Sequence, residues 1–61
     1  MSEMKYPWEK TPKGYGFFVP TLKPEEVKIS ALLDSQRYHV GAFRADIGVL
    51  NGMLGVLFTK V

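Results

Sequence analysis

Basic and aromatic side chains are the residues of this chain whose types and spacing suit binding chemistry. The candidate ligand-binding residues are Trp8, Lys10, Lys13, Tyr15, Arg37 and Arg44. Arginine contacts phosphate bidentately, lysine supplies a point charge, and aromatic rings stack on nucleobases. A single chain of 61 residues hardly forms a cleft of its own. We therefore expect any such ligand to bind where subunits meet.

Patterns for catalysis and metal binding are nearly missing from the sequence. His39 is the single histidine and therefore the single candidate for a histidine general base, and it is interpreted as a surface or helix-end residue. No glycine-framed nucleophile turn surrounds Ser30 or Ser35. Asp34 and Asp46 fall in different predicted elements, without metal-ligand spacing. We expect no enzymatic activity, no catalytic residues, no metal and no cofactor.

The composition predicts a small ordered domain that self-associates. The chain has 61 residues, 46% of them hydrophobic, a net charge of +2 and no cysteine. A core of this size is marginal and is usually reinforced by disulfides, a metal or a partner chain. Because the chain has no cysteine for a disulfide and too few cysteine and histidine residues for a structural metal site, a homo-oligomer is expected. The longest apolar stretch, residues 47–58, is too short to span a membrane, so no membrane association and a cytoplasmic location are expected.

The first third of the chain is predicted to hold an extended arm and a short strand. Pro7 and Pro12 disfavour a regular helix in residues 1–13, which are interpreted as an extended N-terminal arm. Residues 14–61 then form the single folded domain. Within it, residues 14–20 alternate in a strand pattern that Pro20 ends.

One helix is predicted over residues 21–38, with Pro24 in its first turn and Gly41 as a stop signal. Its apolar residues form two sides instead of one stripe. One side carries Ile29, Leu32 and Leu33, and the other carries Val27, Ala31 and Tyr38. A helix on one small sheet needs a single apolar side. The second side, with Val27 and Tyr38, is therefore a predicted subunit contact.

The C-terminal third predicts a tight β-hairpin around Asn51-Gly52, because a type I′ turn requires positive φ at both central residues. A two-residue turn places Leu50 opposite Met53 and fixes every later pair. The expected core face carries Phe43, Ala45, Ile47, Val49, Leu54, Val56 and Phe58. The other face carries Leu50, Met53 and Leu57 beside a trough at Gly48 and Gly55. Those three apolar residues are the predicted oligomer interface.

The order strand, helix, strand, strand predicts an α+β fold. Its simplest closure is a three-stranded antiparallel sheet with one helix packed on it.

Part of the N-terminal region resembles nucleic-acid-binding proteins. Residues 13–17, Lys-Gly-Tyr-Gly-Phe, match the start of an RNA-recognition signature. With Trp8 and Pro20 added, the segment also resembles the cold-shock domain. This resemblance implies that Trp8, Tyr15 and Phe17 bind single-stranded nucleic acid. Against it, residues 25–33 are predicted as helix where that family has a second aromatic strand, and aromatic core residues of a small sheet would give the same pattern.

A second resemblance covers more of the chain. The segment Tyr-Pro-Trp-Glu-Lys at residues 6–10, followed by Gly14 and Phe-Phe-Val-Pro at 17–20, is similar to short, uncharacterised bacteriophage proteins. They likewise continue into a helix and two strands. This sequence departs from them in the turn before the Phe pair and in its more apolar hairpin. The resemblance implies phage origin, the cytoplasm of an infected bacterium, and sequestration of a nucleotide signal of host defence.

Three functions follow as alternatives. The preferred one is a non-enzymatic oligomer that sequesters a nucleotide-like anion at subunit interfaces. The second is single-stranded nucleic-acid binding, for which a net charge of +2 is low. The third is inhibition of a host protein through Leu50, Met53 and Leu57.

Overall fold

The computed structural model describes residues 6–61, and these residues form the predicted α+β fold. Strand β1 spans Gly16–Pro20, helix α1 spans Pro24–Ser35, and a short 3₁₀ helix spans Gln36–Tyr38. Strands β2, Phe43–Leu50, and β3, Met53–Lys60, complete the chain. The sheet order is β1-β3-β2, and both neighbouring pairs are antiparallel. The fold class, the element order and the three-stranded antiparallel sheet are confirmed.

The hairpin register is also confirmed. Asn51 and Gly52 both have positive φ, 51° and 77°, as a type I′ turn requires. Leu50 pairs with Met53, and Gly48 pairs with Gly55. Because side chains alternate along a strand, this register fixes which residues share a face. We call the side that carries α1 the helix face, and the other side the open face.

The helix is shorter than predicted at both ends. At the first end Pro24 occupies the first turn, where a missing N–H costs nothing. Thr21, which was predicted to begin the helix, donates its N–H to the Leu54 carbonyl of the sheet at 2.9 Å. Thr21 therefore extends the sheet. At the other end the chain tightens into the 3₁₀ helix, and His39 ends it with a left-handed φ of 52°. The stop lies at His39, two residues before Gly41.

The two sides of α1 do not divide into a core side and a contact side as expected, because Leu32 of one side and Val27 of the other both pack against the core. Ala31 is buried, and Val27 is half-buried and packs against the core cluster. Ile29 and Leu33, by contrast, are 64% and 60% exposed. Val27 is therefore directed at the core of its own chain, where the small Ala31 lets this side of the helix approach the sheet, and a subunit contact at Val27 stays a prediction.

The N-terminal segment is not an extended arm in its described part. Residues 8–10 form a turn, and Trp8 is only 1% exposed in the core. The Thr11 hydroxyl closes the turn by donating to the Pro7 carbonyl at 2.6 Å. Residues 6–13 therefore belong to the folded unit, because the largest side chain of the chain completes its core. Residues 1–5 of the predicted arm lie outside the described residues.

Strand β1 begins two residues later than predicted. The Tyr15 N–H donates to the Pro12 carbonyl at 3.0 Å, and Gly14 has a φ of 86°. This turn redirects the chain into the sheet, where the Lys60 N–H donates to the Tyr15 carbonyl at 2.8 Å. The positive φ explains the glycine at position 14, since other L residues rarely adopt it.

Candidate functional site

The core is an aromatic cluster at the end of the sheet remote from the hairpin turn. The Trp8 ring meets Phe43, Phe17 and Phe58 edge-on, with centroid separations of 4.8, 5.1 and 5.3 Å. The Trp8 indole N–H donates to Asp34 Oδ2 at 3.0 Å, which ties the segment to helix α1. Trp8 has no free ring face. It is therefore not available for the stacking on a ligand that the sequence predicted.

The burial of Trp8 also bears on the nucleic-acid alternative. Phe17 is half-buried and packs against the core, while Tyr15 is 66% exposed. Two of the three aromatic residues implied by the cold-shock resemblance therefore lie inside the fold. Base stacking requires exposed rings, so this geometry favours the structural interpretation of the aromatic pattern.

The remaining candidate ligand-binding residues are exposed but do not form one site. Arg37 pairs with Asp34 across 3.8 Å at the end of α1. Arg44 lies on the open face and pairs with Asp46 across 3.1 Å. Lys10 borders a surface recess, whereas Lys13 is an exposed residue of the turn that precedes β1. The set is dispersed because its members belong to a turn, a helix end and an edge strand.

The recess beside Lys10 is the first candidate site. Its volume is about 370 Å³, and it is lined by Tyr6, Pro7, Glu9, Lys10 and Tyr38. The N-terminal turn supplies the first four residues, and the 3₁₀ helix supplies Tyr38. We call it the tyrosine recess. Tyr38 was predicted as an interface residue, and Tyr6 was not predicted as a site residue. The two tyrosines line one recess because Trp8 anchors the N-terminal turn beside the 3₁₀ helix.

The tyrosine recess offers three kinds of contact to a small molecule. Two phenol rings provide aromatic surface, Lys10 provides a cation, and Glu9 provides a hydrogen-bond acceptor. Its volume lies at the lower end of the range for small-molecule sites, about 300–1,000 Å³. Among residues 6–61, no three or more His, Cys, Asp or Glu side chains are grouped so that they could hold a metal ion.

The second candidate site is the end of the hairpin around its turn. Every residue from 46 to 54 is exposed, on both faces of the sheet. We call residues 47–54 the hairpin tip. On the open face Leu50 and Met53 are 50% and 51% exposed, as the interface prediction requires, and nearby Leu57 is 40% exposed. On the helix face Ile47, Val49 and Leu54 are also exposed, although they were predicted to be core.

The exposure of the helix face at the tip follows from the lengths of the elements. Helix α1 has 12 residues, which corresponds to about 18 Å. Strands β2 and β3 have 8 residues each, or about 26 Å. Strand β1 has only 5 residues and ends opposite Gly55. The hairpin therefore extends beyond the elements that cover it. The predicted helix of residues 21–38 would have been about 27 Å long and did not indicate this exposure.

The glycine trough predicted on the open face is only half present. A Cβ on Gly55 would lie against the Val19 carbonyl oxygen, 2.6 Å from Phe18 Cζ and 2.8 Å from Pro20 Cα. Gly55 is thus covered by β1 of its own chain. A Cβ on Gly48 would meet nothing within 4 Å. The space that remains is a groove of about 220 Å³ around Gly48, bounded by Phe18, Leu50 and Leu57.

Comparisons with known proteins add no identity to these two sites, since no protein-family model, curated protein or solved structure matches this chain. The resemblances to phage proteins and to the cold-shock domain stay predictions. Within residues 6–61 no helix is both long and apolar enough to cross a membrane.

Proposed function

We propose that this protein is a non-enzymatic homo-oligomer that binds a nucleotide-like anion, with the tyrosine recess as the ligand site. The observation that carries the proposal is the recess itself, in which Lys10 lies in one cavity with Tyr6 and Tyr38. A lysine ammonium suits a phosphate, and phenol rings suit a planar base.

The acidic residue of the recess narrows the ligand class. Glu9 lines the same cavity as Lys10, so the recess carries no strong net charge for a bare polyanion. A carboxylate does accept hydrogen bonds from ribose hydroxyls, as in dinucleotide-binding folds. A nucleoside monophosphate unit, with a base, a sugar and one phosphate, therefore fits this set of side chains better than inorganic phosphate. A nucleotide signal of host defence belongs to this class, as the phage resemblance implies.

The oligomeric part of the proposal is supported by the hairpin tip. A stable interface covers about 800 Å² on each partner, roughly a sixth of the 4666 Å² of accessible surface. Among residues 6–61, half of the twelve exposed large hydrophobic residues lie on the β2–β3 hairpin, at the tip and at Leu57. These residues form one apolar group on each face of the hairpin, and monomers rarely leave large apolar groups uncovered. A host protein held on the same patch is the alternative occupant.

Ligand binding is tested by thermal denaturation with adenosine monophosphate, guanosine monophosphate, adenosine and inorganic phosphate. A ligand that binds only the folded state raises the Tm. We expect the monophosphates to raise it more than the nucleoside or phosphate alone. If none of the four raises the Tm, the ligand proposal is wrong.

Two variants locate the binding site. Tyr38→Ala removes one wall of the recess, while Tyr15→Ala removes an exposed tyrosine that lies outside it. We expect Tyr38→Ala to weaken monophosphate binding about tenfold, since base–aromatic stacking contributes about 1–3 kcal/mol, and Tyr15→Ala to bind like the unmodified protein. The reverse result would place the ligand at the cold-shock-like segment.

The oligomeric state is tested by light scattering coupled to size-exclusion chromatography. The expected mass is a multiple of the 6.9 kDa chain at micromolar concentration. A mass of one chain at that concentration would remove the oligomeric part of the proposal and leave the tip free for a different protein.

A further inference from the structure

The free edge of β2 carries a row of backbone groups that point away from the rest of the sheet. In the order β1-β3-β2, β2 has a neighbour on one side only. The Val61 N–H donates to the Ala42 carbonyl at 3.1 Å, so even-numbered residues of β2 bond to β3, as the two-residue turn after Leu50 also requires. The outward-pointing groups belong to Phe43, Ala45, Ile47 and Val49.

The side chains along this edge are complementary to themselves. Arg44 and Asp46 are neighbours on the open face, joined by an ion pair of 3.1 Å, and their side chains are 68% and 54% exposed. A strand that carries one cation and one anion two residues apart matches a reversed copy of itself. The occupant that fits this edge is therefore a second copy of the chain.

We propose that two copies pair antiparallel through β2, with Ala45 on the two-fold axis, to form one six-stranded sheet. This proposal rests on the self-association proposed above. It adds a second contact to the one at the hairpin tip, because the paired residues, 43–47, exclude most of the tip. Arg44 then lies opposite Asp46 of the partner subunit, twice in the dimer. On the helix face Phe43 lies opposite the partner's Ile47, which is a favourable aromatic and β-branched pair.

The charges select this register over its neighbours. Sliding one strand by two residues towards the tip places Asp46 opposite the partner's Asp46. Sliding it by two residues the other way places Arg44 opposite the partner's Arg44. Like charges directly opposite each other destabilise a strand pair. A slide of four residues towards the tip lengthens the paired segment of β2 from residues 43–47 to residues 44–50. It leaves neither charge opposite its counterpart, so the ion pairs between subunits are what favours the register centred on Ala45.

Charge-reversed variants test whether the ion pairs join two chains. Arg44→Asp makes the edge wholly acidic, and Asp46→Arg makes it wholly basic. We expect each variant alone to associate roughly tenfold more weakly than the unmodified protein. An equimolar mixture should recover the dimer, because every acidic position then lies opposite a basic one. The ion pair within each strand is broken in both variants, so it cannot produce this recovery.

A matched control uses the exposed ion pair of Lys23 with Glu26, 3.9 Å apart near the start of α1. Lys23→Glu, Glu26→Lys and their mixture should all associate like the unmodified protein. If these changes alter association as much as the edge changes do, overall charge governs assembly and the edge proposal is overturned.

Cysteine cross-linking tests the register, because the chain has no other thiol. Positions 44 and 46 form a non-hydrogen-bonded pair in the proposed ladder, about 4.5 Å apart at Cα, which suits a disulfide. Under mild oxidation Arg44→Cys mixed with Asp46→Cys should give the heterodimer. A homodimer of either variant in preference to the heterodimer would overturn the register.

The outcomes separate this inference from the proposed function. A dimeric unmodified protein whose edge variants show no recovery on mixing overturns the β2 pairing and leaves the self-association proposal intact. A monomeric unmodified protein overturns both.

Discussion

The two ends of the β2–β3 hairpin have similar side chains and opposite environments. At the hairpin base, residues 43–45 and 58–60, Phe58 is fully buried and Ala45 is buried beneath α1 and the N-terminal turn. At the hairpin tip, Val49 and Leu50 are 67% and 50% exposed. Apolar character therefore does not distinguish core from interface in this chain. The distinction comes from whether another element reaches that part of the strand.

The difference also separates what stabilises one chain from what is available to a second one. The base holds the aromatic cluster around Trp8, and its contacts are satisfied within the chain. The tip and the outer edge of β2 present apolar side chains and outward-pointing backbone groups to solvent. Substitutions at the base should therefore change unfolding, while substitutions at the tip should change association.

The largest effect is expected from Trp8→Ala, which removes the central ring of the aromatic cluster at the hairpin base. Truncating a buried tryptophan costs about 3–5 kcal/mol, comparable to the whole stability of a domain this small, about 3–9 kcal/mol. We expect loss of cooperative unfolding in circular dichroism and denaturant titration. Trp8→Phe, which keeps an aromatic ring, should remain folded with a reduced midpoint. A Trp8→Ala protein as stable as the unmodified one would show that the base is not the core.

The second effect contrasts two glycines of the same rung, Gly48 and Gly55, which pair across the hairpin. Gly55→Ala places a methyl group against the Val19 carbonyl and 2.8 Å from Pro20 Cα, and should cost about 1–3 kcal/mol. Gly48→Ala meets nothing within 4 Å and should be neutral or stabilising by up to about 1 kcal/mol. Equal effects in denaturant titration would mean that β1 does not cover Gly55.

The third effect concerns the hydrogen bond between the base and α1. Asp34→Ala leaves the buried Trp8 indole N–H without its acceptor at 3.0 Å, at a cost of about 1–2 kcal/mol. Asp34→Asn retains an oxygen acceptor and should lose less of the unfolding free energy. Asp46→Ala, at an exposed carboxylate, serves as the control with an effect on monomer stability within about 0.5 kcal/mol. A control that is as destabilised as Asp34→Ala would contradict the role of this bond.

The smallest effect on unfolding is expected at the tip. Val49→Thr combined with Leu50→Thr places β-branched side chains, which suit a strand, at both positions. This double change should alter the unfolding free energy of the monomer by less than about 1 kcal/mol. The same change should weaken self-association about tenfold, measured by analytical ultracentrifugation. Ile29→Gln with Leu33→Gln alters exposed apolar residues on α1 and should leave association unchanged. Weakened association in the helix variant alone would move the interface to α1.

The strand pairing of the hairpin was predictable because it depends on local rules. A two-residue turn of Asn51 and Gly52 permits one register, and that register sets the faces of every residue in both strands. The position of Pro24 in the first turn of α1 follows from the chemistry of proline in the same way. Such features involve residues close in sequence, so the pattern carries enough information.

The candidate site was predictable only in part. Leu50, Met53 and Leu57 are exposed as the alternation indicated, but Val27 lies against the core and Trp8 lies within it. Hydrophobic periodicity shows that a helix or strand has an apolar face, but it does not show which other element or chain covers that face. The tyrosine recess depends on the meeting of Tyr6 and Tyr38, 32 positions apart in the chain, and no local pattern indicates that meeting.

The chain alone thus specifies the order of its elements, its turn and the two faces of its hairpin, because each depends on backbone preferences within a few residues. The packing of the elements decides which apolar residues become core. Trp8 fills the base because its turn folds back onto β1, β2 and β3, where its indole N–H reaches Asp34. The tip stays exposed because a helix of about 18 Å cannot cover strands of about 26 Å.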